Sequence, residues 1–375
     1  MQIRPKLLYF VTEDWYFCSH RLNLAIAAQN CGYRVTVLTR VNRHGDNIRA
    51  HGFELIPLDI ERGGLNLWRE WQTLLKVWRI YAELKPDIAH HIALKPVLYG
   101  GLVALFVPGV KTVSLLAGLG SIFSARRWQT RLLKPIVKRS FRWLLNRPNC
   151  RVVVQNSEDR ALLVDRLRID AERVALIRGS GVDIQAFRPA SEPAGKVVIA
   201  LVSRLLWDKG IGEYVDAVQL LRQKGLVFSA LLVGEPDEQN LNSVSRTIVR
   251  QWHDRGLVDC LGFQESIAAI WQQAHIAVLP SYREGLPKAL LEAAACGRPI
   301  VTTDTSGCKE VVEDGYNGLL VPVGDAESLA NALERLIVNA ELRQNMGRAS
   351  RRRVEHYFSD RRIIDETLAI YRELV

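Results

Sequence analysis

Two glutamates eight residues apart, Glu284 and Glu292, stand in the run Arg283-Glu284-Gly285-Leu286-Pro287-Lys288-Ala289-Leu290-Leu291-Glu292-Ala293, shortly after the apolar stretch Ile276–Leu279. Carboxylates bind hydroxyl pairs well, and two of them at different depths suit one sugar ring and one ribose. Pro287 favours the first turn of a helix, so the amides of Leu286, Lys288 and Ala289 are expected to point back into a cleft as an anion site. Two unrelated glutamates would ordinarily be a loop charge and a solvated helix residue; Gly285, Pro287 and the small residues 293–295 argue for a built site. A second cluster, Ser203-Arg204-Leu205-Leu206-Trp207-Asp208-Lys209-Gly210, follows the apolar run Val197–Val202 and carries the cations Arg204 and Lys209. Fixed positive charges there could stabilise a departing diphosphate as a divalent metal does elsewhere, although on their own they are equally well read as surface charges. No Asp-x-Asp occurs in the chain, so no metal site and no separate cofactor are expected.

The elements that must position these residues are legible as an alternation. Short apolar runs at 7–11, 34–38, 87–90, 111–114, 151–154 and 174–177 are separated by longer segments of helical period. The alternation resumes with runs at 197–202, 229–233, 258–261, 276–279 and 300–302. This pattern predicts an α/β protein with two doubly wound, Rossmann-like domains facing across a cleft, with ligands beyond the carboxyl ends of the strands. Residues 187–195 hold two prolines and a glycine without periodicity and mark the expected linker. The expected domains are 1–186 for the acceptor and 187–375 for the donor, with the last helix, about 359–375, packing back on the first domain.

Composition narrows the function classes. The 375 residues are 48% hydrophobic and 24% charged, ordinary for a folded two-domain protein. The six cysteines are scattered, without a C-x-x-C pair, which argues against zinc and against a disulfide framework. No leader or bilayer-length apolar run is recognisable, and a cytoplasmic setting is expected. Of the net charge of +10, residues 1–190 contribute +14 and residues 191–375 contribute −4. An anionic partner of the first half is therefore expected. Residues 126–147 place Arg127, Arg131, Lys134, Lys138 and Arg142 in one helical stripe, with Trp128, Leu132, Leu133, Ile136, Val137, Phe141, Leu144 and Leu145 on the remaining surface. Such a segment is either a basic amphipathic helix at an anionic membrane surface or a core-packed helix with a solvated edge, kinked or split at Pro135.

The second half resembles the nucleotide-sugar domain of retaining family 4 glycosyltransferases of GT-B fold. The resemblance is carried by Glu284 and Glu292 at their spacing, by the Ser203–Gly210 loop, and by Gly307-Cys308-Lys309-Glu310-Val311 with Gly315-Tyr316-Asn317-Gly318-Leu319-Leu320-Val321-Pro322. It implies that Glu284 contacts the donor sugar, Glu292 the ribose, and Arg204 with Lys209 the diphosphate. Ser203, Leu286, Pro287 and Lys288 complete the expected donor set, with Phe263, in the turn Leu261-Gly262-Phe263, beside the base. Glu284, Arg204 and Lys209 are the expected catalytic residues.

The first half resembles bacterial members that extend lipid-linked oligosaccharides. The likeness lies in Cys18-Ser19-His20-Arg21, His90-His91-Ile92-Ala93-Leu94-Lys95-Pro96, Ala117-Gly118-Leu119-Gly120-Ser121-Ile122-Phe123 and Gly179-Ser180-Gly181-Val182-Asp183. It implies acceptor contacts from His20, Arg21, His90, Lys95, Gly118 and Gly120. Where many members carry a Gly-Gly turn after the first strand, this chain has Thr12-Glu13-Asp14-Trp15-Tyr16, which assigns Glu13 and Asp14 to the acceptor instead. Each histidine alone is equally well a hydrogen-bonded structural residue. The implied activity is transfer of a hexose or N-acetylhexosamine from a UDP-sugar to a polyprenyl-diphosphate-linked saccharide, peripherally at the inner face of the cell membrane, with residues 126–147 on the lipid. Epimerisation or transfer to a soluble acceptor would suit the same fold. Nucleic-acid binding is disfavoured because aliphatic bulk, not stacking aromatics, interleaves the basic stripe, and no G-x-G-x-x-G supports NAD.

Overall fold

A computed structural model describes residues 4–60, 66–116, 139–237 and 240–375. The chain divides into two compact units, Met1–Ser180 with Ile363–Val375, and Gly181–Arg362.

In the first unit the strands β1 (Lys6–Glu13), β2 (Arg34–Arg40), β3 (Glu54–Pro57), β4 (Ile88–Ile92), β5 (Lys111–Leu116), β6 (Cys150–Val154) and β7 (Val174–Leu176) form one sheet. Their order is β3-β2-β1-β4-β5-β6-β7, and every pairing is parallel. Alternation along β1 sends Leu7, Tyr9 and Val11 to one face and Leu8 and Phe10 to the other, and both faces are covered. The first face packs against the helices Asp14–His20, Leu22–Asn30 and Asp360–Leu374; the second receives Leu67–Leu84. The helix Asp360–Leu374 starts in the second unit and ends in the first, where Tyr371 lies in the same core as Tyr9.

The second unit holds β8 (Val197–Val202), β9 (Phe228–Val233), β10 (Asp259–Gly262), β11 (Ile276–Leu279), β12 (Ile300–Thr303) and β13 (Gly318–Val321), in the order β10-β9-β8-β11-β12-β13. The chain reverses its winding between β8 and β11, the place where an open α/β sheet presents a crevice. Both expected loops, 203–210 and 280–287, leave the sheet there. The helix Ile211–Gln223 buries Ile211, Tyr214, Val215, Val218 and Leu221, the face its periodicity predicts. The proline-bearing stretch 187–195 lies within this unit. Arg351 donates to the carbonyls of Phe187 (2.8 Å) and Ile184 (3.2 Å), and Arg343 pairs with Glu192 at 3.1 Å.

Two strands have no counterpart in the apolar pattern. β3 is a short edge strand with exposed Glu54 and Pro57, and β13 lies inside the motif read as a ligand signature. Gly318 opens β13 because a Cβ there would sit 2.3 Å from the Ile300 carbonyl. Buried Asn317 accepts from the Glu313 amide at 2.8 Å and donates to the Val311 carbonyl at 3.1 Å. The Asn317-Gly318 pair therefore builds the turn into an edge strand.

Candidate active site

The site is assembled by two loops forced into contact. Gly210 closes the loop after β8 at φ +71°, and a Cβ on it would lie 2.0 Å from the carbonyl oxygen of Pro280, the residue after β11. Only glycine admits that approach. The Tyr282 amide also donates to the Asp208 carbonyl at 2.9 Å. This packing brings the Lys209 ammonium 2.6 Å from Glu284 Oε1, which also accepts from the Ser281 hydroxyl at 2.8 Å. The side chains of Lys209 and Glu284 are 19% and 10% exposed. From below, Gly307 supports the loop, since a Cβ there would meet the Gly285 and Glu284 carbonyls at 2.6 and 2.7 Å.

The helix Lys288–Ala295 begins one residue later than Pro287 in the first turn would place it. Pro287 is its cap, accepting from the amides of Leu290 (3.1 Å) and Leu291 (3.3 Å). Lys288 and Ala289 occupy the first turn, where amides lack acceptors within the helix, and Leu286 lies ahead of it. One turn in, Glu292 is buried at 9% exposure with Lys288 Nζ 3.6 Å from its Oε1. Burial pushes its carboxyl up to about 6, against the opposing pull of Lys288. Glu292 is thus a buried residue, not a solvated one.

Arg204 and Lys209 are not a pair of bare cations. Each is matched with a carboxylate: Arg204 donates to Asp237 Oδ2 at 2.8 Å, and Lys209 to Glu284. The Ser203 hydroxyl donates to the Arg204 carbonyl at 2.9 Å. Phe263 follows β10 and is 71% exposed, a ring open to stacking. Ser281 and Asp237, which hold Glu284 and Arg204, carry no spacing signal in the sequence and emerge only from the packing of the loops.

The acceptor candidates of the first unit fare unevenly. His90 does not stand at a strand end. It is mid-strand in β4 and 1% exposed, with Nδ1 2.5 Å from the Tyr371 hydroxyl. Tyr371 in turn donates to the Tyr9 hydroxyl at 3.1 Å. Burial holds the His90 imidazole well below its usual range, so it is a neutral core residue. His91 points to the other face, 2.8 Å from the Tyr81 hydroxyl, and burial pushes it down to about 3. Asp14 is fully buried and accepts from the amides of Trp15 (2.7 Å), Asn42 (2.7 Å) and His44 (2.9 Å). Its carboxylate ties the loop after β2 to the end of β1, with both oxygens engaged by backbone amides. Glu13, 3% exposed, accepts from Asn42 Nδ2 at 2.9 Å and faces Arg40 at 3.9 Å.

Arg21, between the first two helices, is 3% exposed, and its Nε and Nη2 have no hydrogen-bond partner among the described residues. His20 stacks on Tyr16 with ring centroids 4.2 Å apart and has Nδ1 2.5 Å from the Ser19 hydroxyl. Lys95 lies in the first turn of the helix Leu94–Val103 and pairs with Glu70 at 2.6 Å; Tyr99 donates to the same carboxylate. Gly118, Gly120 and residues 126–138 lie outside the described residues. Within 139–147, Phe141, Leu144 and Leu145 are core residues while Arg142 and Trp143 are exposed, which suits the core-packed helix with a solvated edge rather than a lipid-facing one. Among the described residues no cluster of three or more His, Cys, Asp or Glu is placed to hold a metal, and no helix is long and apolar enough to cross a membrane.

Comparison with known proteins agrees with both halves. Residues 183–353 match the model of glycosyl transferases group 1, and residues 6–147 that of the glycosyl transferase 4-like family. Over 327 residues the chain is 25% identical to N,N'-diacetylbacillosaminyl-diphospho-undecaprenol alpha-1,3-N-acetylgalactosaminyltransferase of Campylobacter jejuni, covering 84% of each. It is 22% identical over 325 residues to UDP-Gal:alpha-D-GlcNAc-diphosphoundecaprenol alpha-1,3-galactosyltransferase of Escherichia coli, covering 83% of this chain and 81% of that protein. The fold matches that of Anabaena HepE, solved in complex with UDP, with a TM-score of 0.78 at 20% identity over 98% of this chain and all of the other. With a first half that matches the 4-like model, a second half that matches the group 1 model and two parallel Rossmann-like sheets, the chain has the GT-B fold.

Proposed function

We propose that the protein transfers a hexose or N-acetylhexosamine from a UDP-sugar to a polyprenyl-diphosphate-linked saccharide, with retention at the anomeric carbon and without a metal, at the inner face of the cell membrane. The observation that carries the reading is the Lys209–Glu284–Ser281 cluster at the winding reversal of the second unit, with Glu292 in the adjoining helix. The names of the Campylobacter and Escherichia relatives, both acting on undecaprenyl-diphosphate-linked saccharides, support the acceptor class.

In this reading Glu284 accepts hydrogen bonds from donor sugar hydroxyls and holds the ring for attack on the face the diphosphate leaves. Lys209, released from Glu284 as the diphosphate enters, neutralises the charge that grows on the departing phosphate oxygen, and Arg204 does the same from the loop start. The first-turn amides at Lys288 and Ala289 add fixed dipoles to the same anion. Glu292 binds the ribose hydroxyls. The acceptor hydroxyl forms the new C–O bond as the bond to the diphosphate breaks, and its proton leaves with the departing phosphate.

Steady-state kinetics with a UDP-sugar and a polyprenyl-diphosphate saccharide in EDTA test this reading. Lys209→Ala is expected to lower kcat about 100-fold or more with a smaller change in donor KM, since its charge is needed most in the transition state. A rise in donor KM alone would remove Lys209 from the chemical step.

A further inference from the structure

The helix Leu67–Leu84 has two faces of unlike fate. Leu74, Val77, Tyr81 and Leu84 pack on the core beneath it. On the adjoining outward side Trp68, Trp71, Leu75 and Trp78 recur at intervals of three, four and three residues, one stripe of the helical period, and are 69%, 54%, 39% and 43% exposed. Three of the nine tryptophans of the chain thus stand in water on a single face. Lys76 and Arg79 are exposed on the flank beside them, with Glu83, also exposed, a turn further on at the far end of the helix. The acid of the first turn, Glu70, is drawn inward by Lys95 and Tyr99. Asn66 caps the helix by accepting from the amides of Trp68 (3.1 Å) and Arg69 (3.3 Å), so the turn that bears Trp68 and Trp71 is held in place.

Tryptophan has an apolar body with one polar edge and partitions to the headgroup layer of a bilayer, and basic residues beside it match anionic headgroups. We propose that this face is a docking surface for an anionic lipid bilayer, with the three indoles seated at headgroup depth and Lys76 and Arg79 against the anionic headgroups. The inference deepens the reading that the acceptor is borne on a membrane, and it rests on that reading, but it requires neither donor nor acceptor to be tested.

The test is co-sedimentation of the full chain with vesicles of about one-third phosphatidylglycerol in phosphatidylcholine, and with phosphatidylcholine alone, without substrates. The chain is expected to bind the anionic vesicles, with a blue shift of tryptophan emission and a loss of binding at high salt. Trp68→Ala/Trp71→Ala/Trp78→Ala and, separately, Lys76→Glu/Arg79→Glu should each weaken partitioning at least tenfold, a basic residue near the surface being worth about fivefold. Circular dichroism and a thermal melt check that the variants are folded, and the charge-reversal pair, confined to exposed side chains, stands if the triple variant does not fold. Absence of binding by the parent chain, equal binding by the charge-reversal variant, or a dimer of the parent dispersed by the triple substitution would each overturn the proposal. Vesicle binding without sugar transfer to any lipid-linked acceptor would leave the docking surface intact and refute the proposed function instead.

Discussion

Glu292→Gln separates what the buried carboxylate does for folding from what it does for the donor. In the folded chain without donor, burial lifts this carboxyl from its ordinary 4.5 to about 6, so ionising it in place is unfavourable. The difference corresponds to about 2 kcal/mol in the cost of the charged form. The sign follows from proton binding. Between pH 4.5 and about 6 the folded state holds the proton more tightly than the unfolded state, so stability falls as pH rises through this window. Above it the full penalty applies; below it none does. Glutamine fills the same space without the charge, so the variant should melt higher than the parent at pH 8 by about 4–8 °C and equally at pH 4.5. Donor affinity should move the other way, because an amide replaces the ionised acceptor of the ribose hydroxyls. Melting curves of both proteins across pH 4.5–8, with UDP calorimetry at pH 8, make the comparison. A variant that melts lower at pH 8, or an offset that does not change with pH, would refute the reasoning.

Gly210→Ala should abolish donor binding or displace the loop, since its Cβ would fall 2.0 Å from the Pro280 carbonyl at a φ costing about 1–3 kcal/mol for alanine; UDP calorimetry measures it. Ser281→Ala should lower kcat about tenfold, the scale of one hydrogen bond to a charged carboxylate, while UDP affinity stays near that of the parent in calorimetry. Tyr371→Phe should lower the melting temperature while acceptor KM stays constant, because His90 and Tyr371 form a core contact; a changed acceptor KM would restore His90 to the site. Lys95→Ala should raise acceptor KM with donor affinity intact, and equal loss of both would remove Lys95 from the acceptor site.

The sequence carried the second unit further than the first. Parallel strands buried on both faces are continuous apolar runs, so β8 and β11 are visible without coordinates, and the loops that follow them are where the winding reverses. Spacing could not show that Lys209 and Glu284, separated by more than 70 residues, meet at 2.6 Å, because that contact depends on how closely Gly210 approaches Pro280. Charge pairing is hidden for the same reason: the sequence shows Arg204 only as a loop cation, and Asp237, its partner, comes from another loop.

In the first unit, residue types that can carry chemistry are used internally by the fold. His90 sits on β4 opposite Tyr9, and its partner Tyr371 is 281 residues away in sequence. Asp14 spends both oxygens on backbone amides. The tryptophan stripe of the helix Leu67–Leu84 is not legible in the sequence, because the hydrophobic pattern alone does not tell which of two apolar faces the core takes.

The most direct measurement is the reaction itself, followed by NMR of the product. UDP-linked hexoses and N-acetylhexosamines are offered with a synthetic polyprenyl-diphosphate saccharide in EDTA, and the anomeric coupling of the transferred sugar is read against that of the donor. The account predicts release of UDP, a product with the anomeric configuration of its donor, and loss of turnover in Lys209→Ala. An inverted product, transfer that requires added metal, or use only of soluble acceptors or of another nucleotide would contradict it.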